Sequence, residues 1–288
     1  MPAADPSDVT IRPMTRAELD VLMAWAADEG WNPGIDDAEV FWQTDPAGFL
    51  AAEVDGEFVA GGSLVTYGRT FGFLGLFIIR SDARHSGLGG KLWELRGMIA
   101  DRLEAGSSVG IEGVVAMQDF YARGGFELAA RDVRHVFTAQ SAQPDGRVVA
   151  AAEVPFADVL AFDSAHFPAP RPDFLRGWLA MPHATALVAK DGDRLAGFGV
   201  IRQCQAGHKV GPLFAETTET AEVLLRSLAG RVAGEQVYID IPSDNSAAGD
   251  LAARWGMVPV FECGRMYSGP VPDLPLTEIY GITTFELG

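Results

Sequence analysis

A short run of charged, hydroxyl and glycine residues has the composition of an anion-binding loop. It reads Arg84-His85-Ser86-Gly87-Leu88-Gly89-Gly90 and stands between an apolar stretch and an amphipathic one. Unpaired N–H groups at a helix start, together with the helix dipole, favour a phosphate there. Glycines let the main chain approach the phosphates, and Arg84 adds a charge-assisted contact. Taken alone the loop is weak evidence, since it is neither G-x-G-x-x-G nor a P-loop.

A second group of residues begins thirty-seven positions after Arg84. Together with the loop it forms a combination that is far more specific than an anion-binding loop alone. The second group is Tyr121-Ala122-Arg123-Gly124-Gly125-Phe126, and the interval leaves room for one helix, one strand and part of a second helix. Together, R-x-x-G-x-G and Y-x-x-x-G-F resemble the acetyl-CoA loop and the downstream signature of the GNAT acyltransferases. The resemblance predicts an acyl-CoA N-acyltransferase domain in the N-terminal half.

This resemblance implies roles for the matched residues. Main-chain N–H groups of the loop would bind the CoA pyrophosphate, from Arg84 through His85, Ser86, Gly87, Leu88 and Gly89 to Gly90. Ile78, Ile79 and Arg80 would pair with the pantetheine arm, and an N–H there would stabilise the oxyanion. Tyr121 would protonate the departing thiolate as general acid, the alternative being a packing tyrosine with a hydrogen-bonded hydroxyl. Acetyl-CoA is then the co-substrate, and no metal is expected.

The resemblance also implies direct attack of a neutral amine on the thioester, and no cysteine lies near either motif in the sequence. An ammonium substrate must first lose a proton, and Glu112, on the strand after the loop helix, is the expected base. Many GNATs carry an acid on the strand before the loop, but Phe71–Ile79 contains none. A water relay to Asp28 or Glu29 therefore competes with Glu112.

The segment 29–34 occupies the position that walls the acceptor pocket in this fold. We expect Trp31 to lie against the substrate, Asn32 to orient it and Glu29 to line the site; a helix-breaking turn with a buried Trp is the alternative. From 17 to 68 the chain has eleven acids and no Lys or Arg. If these acids face the cleft, a cationic amine is favoured, whereas a solvated face is the ordinary interpretation.

Periodicity and turn signals predict the elements that position these residues. Thr15 and Glu18 form a capping box for a helix, and Asp55-Gly56 joins two strands in a tight hairpin. Closing strands are expected at 126–130 and 135–138. The predicted order β-α-α-β-β-β-α-β-α-β-β belongs to the α/β (α+β) class, a mixed, mostly antiparallel sheet flanked by helices.

The second half repeats this plan, so we expect a tandem arrangement. A GNAT catalytic domain would span 1–139, a linker 140–147, and a degenerate GNAT-like domain with a C-terminal arm 148–288. Ala252 stands where Tyr121 stands in the first half, and Glu216 at a helix start would repel pyrophosphate. This half is therefore expected not to bind CoA in the usual way. The whole chain resembles tandem GNATs whose C-terminal half is of the YitH/HolE type.

The amino-acid composition limits the kinds of partner that this protein is expected to bind. The 288 residues carry a net charge of −17, which argues against nucleic acid and anionic membranes. No apolar run approaches the roughly 20 residues of a membrane span, and no signal peptide is evident, so a cytoplasmic protein is expected. Arg202, His208 and Lys209 are expected on a solvated surface, or to bind an acidic group.

These features predict acetyl transfer to a primary amine of a small-molecule substrate, by a monomer or homodimer. The alternatives are a CoA-binding sensor that has lost catalysis, and a protein N-terminal acetyltransferase.

Overall fold

The computed structural model describes residues 9–84, 90, 93, 97 and 101–288. In this part of the chain the strands are β1 Val9–Pro13, β2 Phe49–Val54, β3 Glu57–Tyr67, β4 Phe71–Ile79, β5 Ser108–Val114, β6 Glu127–Thr138, β7 Val148–Ala150, β8 Ala184–Asp191, β9 Arg194–Gln203, β10 His208–Ala215, β11 Gln236–Pro242, β12 Val258–Ser268 and β13 Ile279–Gly281. The helices with defined bounds are α1 Arg16–Asp28, α2 Asp37–Thr44, α3 Gln118–Arg123, α4 Phe156–His166, α5 Pro172–Leu179, α6 Thr218–Ala229 and α7 Ser246–Arg254.

The strands form one sheet in the order β1-β2-β3-β4-β5-β12-β6-β11-β10-β9-β8-β7, with β13 paired to β10. The two halves exchange strands at its centre, because β12 lies between β5 and β6 while β6 lies between β12 and β11. The prediction of two closing strands at 126–130 and 135–138 is wrong. A single strand, β6, spans both, since its charged middle is paired on both edges.

Local sequence signals determine several element ends as expected. Thr15 caps α1, its hydroxyl accepting from the Glu18 N–H while the Glu18 carboxylate accepts from the Thr15 N–H, which confirms the capping box. Asp55 and Gly56 have φ of 51° and 81°, the left-handed values that a tight hairpin between β2 and β3 requires. These signals act over a few residues, so they could be read without knowledge of the tertiary fold.

Helices cover both faces of the sheet. One face of the sheet carries α1, α2, α4 and α5, which bury apolar residues such as Leu22, Phe41, Val159 and Trp178. It is here called the tail face, because residues 282–288 also pack on it. The opposite face carries α3 beside β4 and β5, and α6 and α7 over the second half. The core is therefore two apolar layers separated by the sheet.

Two pairs of neighbouring parallel strands diverge and leave openings in the sheet. β4 pairs with β5 only as far as Leu74 and Ile111, and the space beyond is the first opening. β10 pairs with β11 only as far as Val210 and Ile239, and the space beyond is the second opening. The two openings are the same feature in the two halves.

The last residues of the chain lie inside the molecule. β13 runs into the second opening, and residues 282–288, here called the tail, are all buried on the tail face. Arg171 donates to the carbonyl of Gly288 at 3.3 Å, and the Tyr67 hydroxyl donates to the carbonyl of Leu287 at 2.9 Å. The tail is thus part of the core of both halves.

Candidate active site

The first opening begins at a bulge in β4. The β3–β4 register shifts between Gly61 and Ser63, and Leu76 in the bulge has a φ of 51°. Beyond the bulge, β4 continues to pair with β3 but not with β5. A cavity occupies this opening and reaches both faces of the sheet, with Tyr121 toward one face and Trp31 and Glu286 toward the other.

Tyr121 reaches the cavity from α3, on the opposite face. Its ring packs beside Trp93 and Phe120, and Gly113 leaves room for it, since a Cβ there would come within 2.8 Å of the ring. Burial raises the pKa of Tyr121 to about 12, so the phenol keeps its proton at neutral pH. Among described residues its hydroxyl has no hydrogen-bond partner, which leaves it available as a donor.

Glu112 lines the same cavity from β5 but belongs to the other face of the sheet. Side chains alternate along a strand, and neighbouring Gly113 faces Tyr121. The Glu112 carboxylate is fully buried and paired with Arg265, which also contacts Asp132 at 3.3 Å. Burial raises the pKa of Glu112 well above its usual range, against the opposing charge of Arg265. Its assignment as the base stays a prediction.

The donor-side residues surround the start of the loop. Ile78 and Ile79 pair with Gly61 and Ala60 on β3, and the Arg80 N–H donates to Val59 at 2.9 Å. Arg84 donates to the carbonyl of Ile79 at 3.1 Å and is paired with Glu29. The expected pyrophosphate contacts of 85–89 lie outside the described residues, and Gly90 is described as an exposed helical residue.

Two side chains predicted to contact the acceptor substrate, those of Asn32 and Glu29, have protein partners in the structure. Asn32 was expected to orient a substrate, but its amide forms a pair of hydrogen bonds with the main chain of Ala206, at 2.9 and 2.8 Å. Glu29 was expected to line the acceptor site, but its carboxylate is paired with Arg84 at the loop instead. In this structure both side chains have protein partners, Asn32 in the second half and Glu29 at the loop, and their assignment to substrate stays a prediction.

Trp31 lines the cavity, its main chain is fixed by the second half, and its contact with substrate stays a prediction. Its carbonyl accepts from Arg134 at 2.6 Å and from Lys209 at 3.4 Å. Arg134 is also paired with Asp240 of β11. The acceptor wall is thus held by cations that come from the exchanged strand and from the second half.

Those cations are buried, so the expectation that Arg202 and Lys209 are solvated is wrong. Each is about 1% exposed, and Arg202 pairs with Asp37 of α2 at 2.8 Å. Burial lowers the pKa of Lys209. Their solvation is replaced by partners that belong to the first half, which no pattern local to the second half could indicate.

The acidic run from 17 to 68 does not form a negatively charged cleft. None of its eleven acids is among the described residues that line the cavity. Most are paired with cations, as for Glu18 with Arg12, Asp37 with Arg202 and Asp45 with Arg102. The run therefore serves the scaffold.

Two residues that the sequence motifs do not indicate also line the cavity. Cys263 comes from β12 through the strand exchange, although no cysteine is near either motif in the sequence; burial raises the pKa of its thiol, which disfavours a thiolate nucleophile. Glu286 comes from the tail, together with Phe285. In the sequence, Glu286 is noticeable only as a single acid between apolar residues near the end of the chain.

The second opening is occupied by β13, and no equivalent tyrosine is found there among the described residues; a separate cavity beside β13 is lined by Phe214, Pro242 and Thr283. Ile279 and Gly281 pair with Phe214 and Leu213 of β10, and the Ile282 N–H donates to Asp240 of β11 at 2.9 Å. Ala252 is buried on α7, and Glu216 is paired with Arg194. The chain itself fills the place where the first half has its cavity.

Comparison with known proteins identifies this architecture. The model described as "Acetyltransferase (GNAT) family" matches residues 18–126, and the one described as "Acetyltransferase (GNAT) domain" matches 159–281. The chain belongs to the GNAT acyltransferases, with two GNAT domains in tandem, which confirms the predicted family and fold class.

Individual relatives cover almost the whole chain. Holothin acyltransferase of Pseudoalteromonas sp. (strain SANK 73390) is 29% identical over 97% of this chain and 94% of its own. The uncharacterised N-acetyltransferase YitH of Bacillus subtilis (strain 168) is 24% identical over 82% and 83%.

Among solved structures, a Pyrococcus horikoshii protein described provisionally as an acetyltransferase superposes with a TM-score of 0.83 at 23% identity, over 98% of this chain and 96% of its own. A tandem GNAT protein from the clavulanic acid biosynthesis pathway gives 0.64 at 12%, over 92% and 99%. These structures support the fold alone.

In the described residues, no helix is long and apolar enough to cross a bilayer. Within the same residues, no group of three or more His, Cys, Asp or Glu side chains is placed to hold a metal ion.

Proposed function

We propose that this protein transfers an acyl group, acetyl in the first instance, from acyl-CoA to a primary amine of a small molecule. The observation that carries the proposal is the cavity of the first opening. It passes through the sheet, with a protonated tyrosine toward one face and carboxylates toward the other. The GNAT catalytic domain would span 1–139, joined by 140–147 to 148–288, and the second half would complete its cavity with residues such as Cys263 and Glu286.

In this reaction the amine attacks the thioester carbonyl directly, and the C–S bond breaks as the C–N bond forms. Tyr121 would protonate the departing thiolate, since it lines the cavity and burial keeps its phenol protonated. The edge of β4 beyond Leu74 is open toward β5, so main-chain groups there would orient the pantetheine arm and the thioester oxygen. The loop 84–90 would bind the pyrophosphate.

The nearly full-length match to a protein named holothin acyltransferase supports a small-molecule acceptor over a protein terminus. That name specifies acyl rather than acetyl, so chain length belongs in the test. The direct experiment measures thiol release from acetyl-, propionyl- and longer acyl-CoA with a panel of amines, and identifies products by mass.

We expect thiol release that depends on an amine and equals the acylated product formed. Tight acyl-CoA binding without turnover across the panel would instead favour a CoA-binding sensor. Acylation confined to peptide N-termini would favour the protein N-acetyltransferase alternative.

A further inference from the structure

Among the described residues, two acids line the first opening, Glu112 and Glu286. The carboxylate of Glu112 is held by Arg265, whose other carboxylate contact is Asp132 at 3.3 Å. If Glu112 took a proton from a substrate, the buried guanidinium would lose half of its compensating charge. Burial raises the pKa of Glu112 and so favours proton uptake, but each uptake would leave Arg265 with Asp132 as its remaining described carboxylate partner, a cost that is smaller for a carboxylate without a direct ion pair.

Glu286 reaches the first opening by an unusual main-chain contact. The tail crosses β4 at Gly75, where an added Cβ would lie 1.9 Å from the carbonyl oxygen of Glu286. Gly75 belongs to the β4 strand, which carries no acid of its own and bulges at the next residue. The tail thus brings a carboxylate to the strand that lacks one.

The side chain of Glu286 has one oxygen engaged and one free. Its Oε2 accepts from the Thr284 hydroxyl, which in turn accepts from the Glu286 N–H at 2.8 Å. Its Oε1 is buried and has no hydrogen-bond partner in the described part of the chain. Both oxygens of Glu112 also lack a hydrogen bond in the described residues, but they face the charge of Arg265, whereas no described ion pair involves Glu286. A buried carboxylate oxygen with neither kind of partner is costly, so a donor placed there by a substrate would be stabilised.

Buried cations surround the tail without pairing directly to Glu286. Arg134, Arg202 and Lys209 are within electrostatic range of it. Each has another fixed partner, which is Asp240, Asp37 or the Trp31 carbonyl. Glu286 therefore lies near three buried cations without a direct ion pair to any of them, and the residue lines the cavity with its Oε1 buried.

We propose that Glu286, supplied by the C-terminal tail, is the proton acceptor for the acceptor amine in the first opening; this rests on the acyl transfer proposed above. The ammonium substrate gives one proton to Glu286, which later returns it to water. The free amine then forms the C–N bond as the C–S bond breaks, and the thiolate takes the Tyr121 proton. The proton lost by the new amide nitrogen restores the Tyr121 hydroxyl. The net reaction therefore converts the ammonium substrate and acyl-CoA into the N-acylated product, free CoA thiol and one released proton.

The test is Glu286→Gln, measured as kcat/KM against pH with a saturating acyl-CoA. At pH 7 we expect a loss of about 100-fold or more. The variant should recover roughly tenfold per pH unit as solution deprotonates the amine, whereas acyl-CoA binding stays unchanged. Glu286→Asp keeps a carboxylate on a shorter side chain, so its rate should lie between those of wild type and Glu286→Gln, with a wild-type pH profile.

Glu278→Gln is the matched control, because Glu278 lies in the same C-terminal arm and pairs with His166 away from the cavity. It should stay within about twofold of wild type. The assignment is overturned if Glu286→Gln keeps the wild-type rate and profile, or if Glu112→Gln alone acquires the dependence on amine deprotonation. A wild-type chain that releases no thiol with any amine overturns the acyl transfer itself and this assignment with it.

Discussion

The first and second openings of the sheet both arise where two parallel strands diverge, but the space between the strands is occupied differently in the two. In both, parallel strands pair for a few residues and then diverge, and in both a glycine lets the C-terminal region pass close to the strand. A Cβ on Gly75 would meet the carbonyl of Glu286 at 1.9 Å, and one on Gly211 would meet that of Thr283 at 2.3 Å. A cavity passes through the first opening, whereas β13 occupies the second and leaves a cavity only beside itself.

This difference shows how a duplicated site can be closed without loss of the fold. Ile279 packs in an apolar cluster with Phe214, and the Tyr280 hydroxyl is hydrogen-bonded to Thr218 at 2.8 Å. A ligand entering the second opening would have to displace a paired strand and expose its apolar side chains. The filled opening therefore stabilises the molecule while the open one remains accessible to ligands.

The strongest test of the comparison removes one hydroxyl from each opening. Tyr121→Phe should lower kcat by about 10²-fold or more, because it removes the proton donor to the thiolate. Tyr280→Phe deletes a hydroxyl whose hydrogen-bond partner among the described residues is Thr218, so kcat should stay within about twofold. Steady-state kinetics with one amine measures both. Equal losses in the two variants would contradict the assignment of catalysis to the first opening.

A second test counts donor sites. Isothermal titration should give one acyl-CoA bound per chain, since β13 occupies the second opening. At a ligand concentration of about 100 Kd, the free energy of unfolding should rise by about 2.7 kcal/mol, as expected for a single site. A stoichiometry of two would contradict the assignment of donor binding to the first opening alone.

The smallest expected effect is a change in the KM for acyl-CoA, caused by an ion pair at the edge of the first opening. Arg84 is paired with Glu29 at its edge, and both side chains are more than a third exposed, so the pair contributes about 0–1 kcal/mol. Glu29→Gln should release Arg84 for the pyrophosphate and lower KM for acyl-CoA a few-fold, without a change in kcat. Glu104→Gln, which breaks the exposed pair with Arg69, is the control. An increase in KM for Glu29→Gln would mean that Glu29 itself supports donor binding.

Sequence patterns could predict whatever depends on short intervals. Thr15 with Glu18, Asp55 with Gly56, and the family motifs around Arg84 and Tyr121 each lie within a few residues of one another. They determine helix starts, a hairpin and the family, and those predictions are confirmed. The roles assigned to the loop and to Tyr121 remain proposals.

Features that depend on partners far along the chain could not be predicted in this way. Asn32 is bonded to Ala206 and Arg202 to Asp37, across separations of 174 and 165 residues. The two predicted closing strands are one strand because Arg131 and Arg134 of β6 meet Glu262 and Asp240 on its two neighbours. Cys263 and Glu286 reach the cavity only through the strand exchange and the tail.

The exchange of β6 and β12 has a consequence for the order in which the molecule can form during synthesis. The first half cannot complete the sheet around β5 until β12, ending at Ser268, has left the ribosome. Its edge at β5 must therefore stay exposed until β12 has been made, although N-terminal domains usually fold first. We conclude that the two halves mature together, as one cooperative unit that forms only after β12 has emerged.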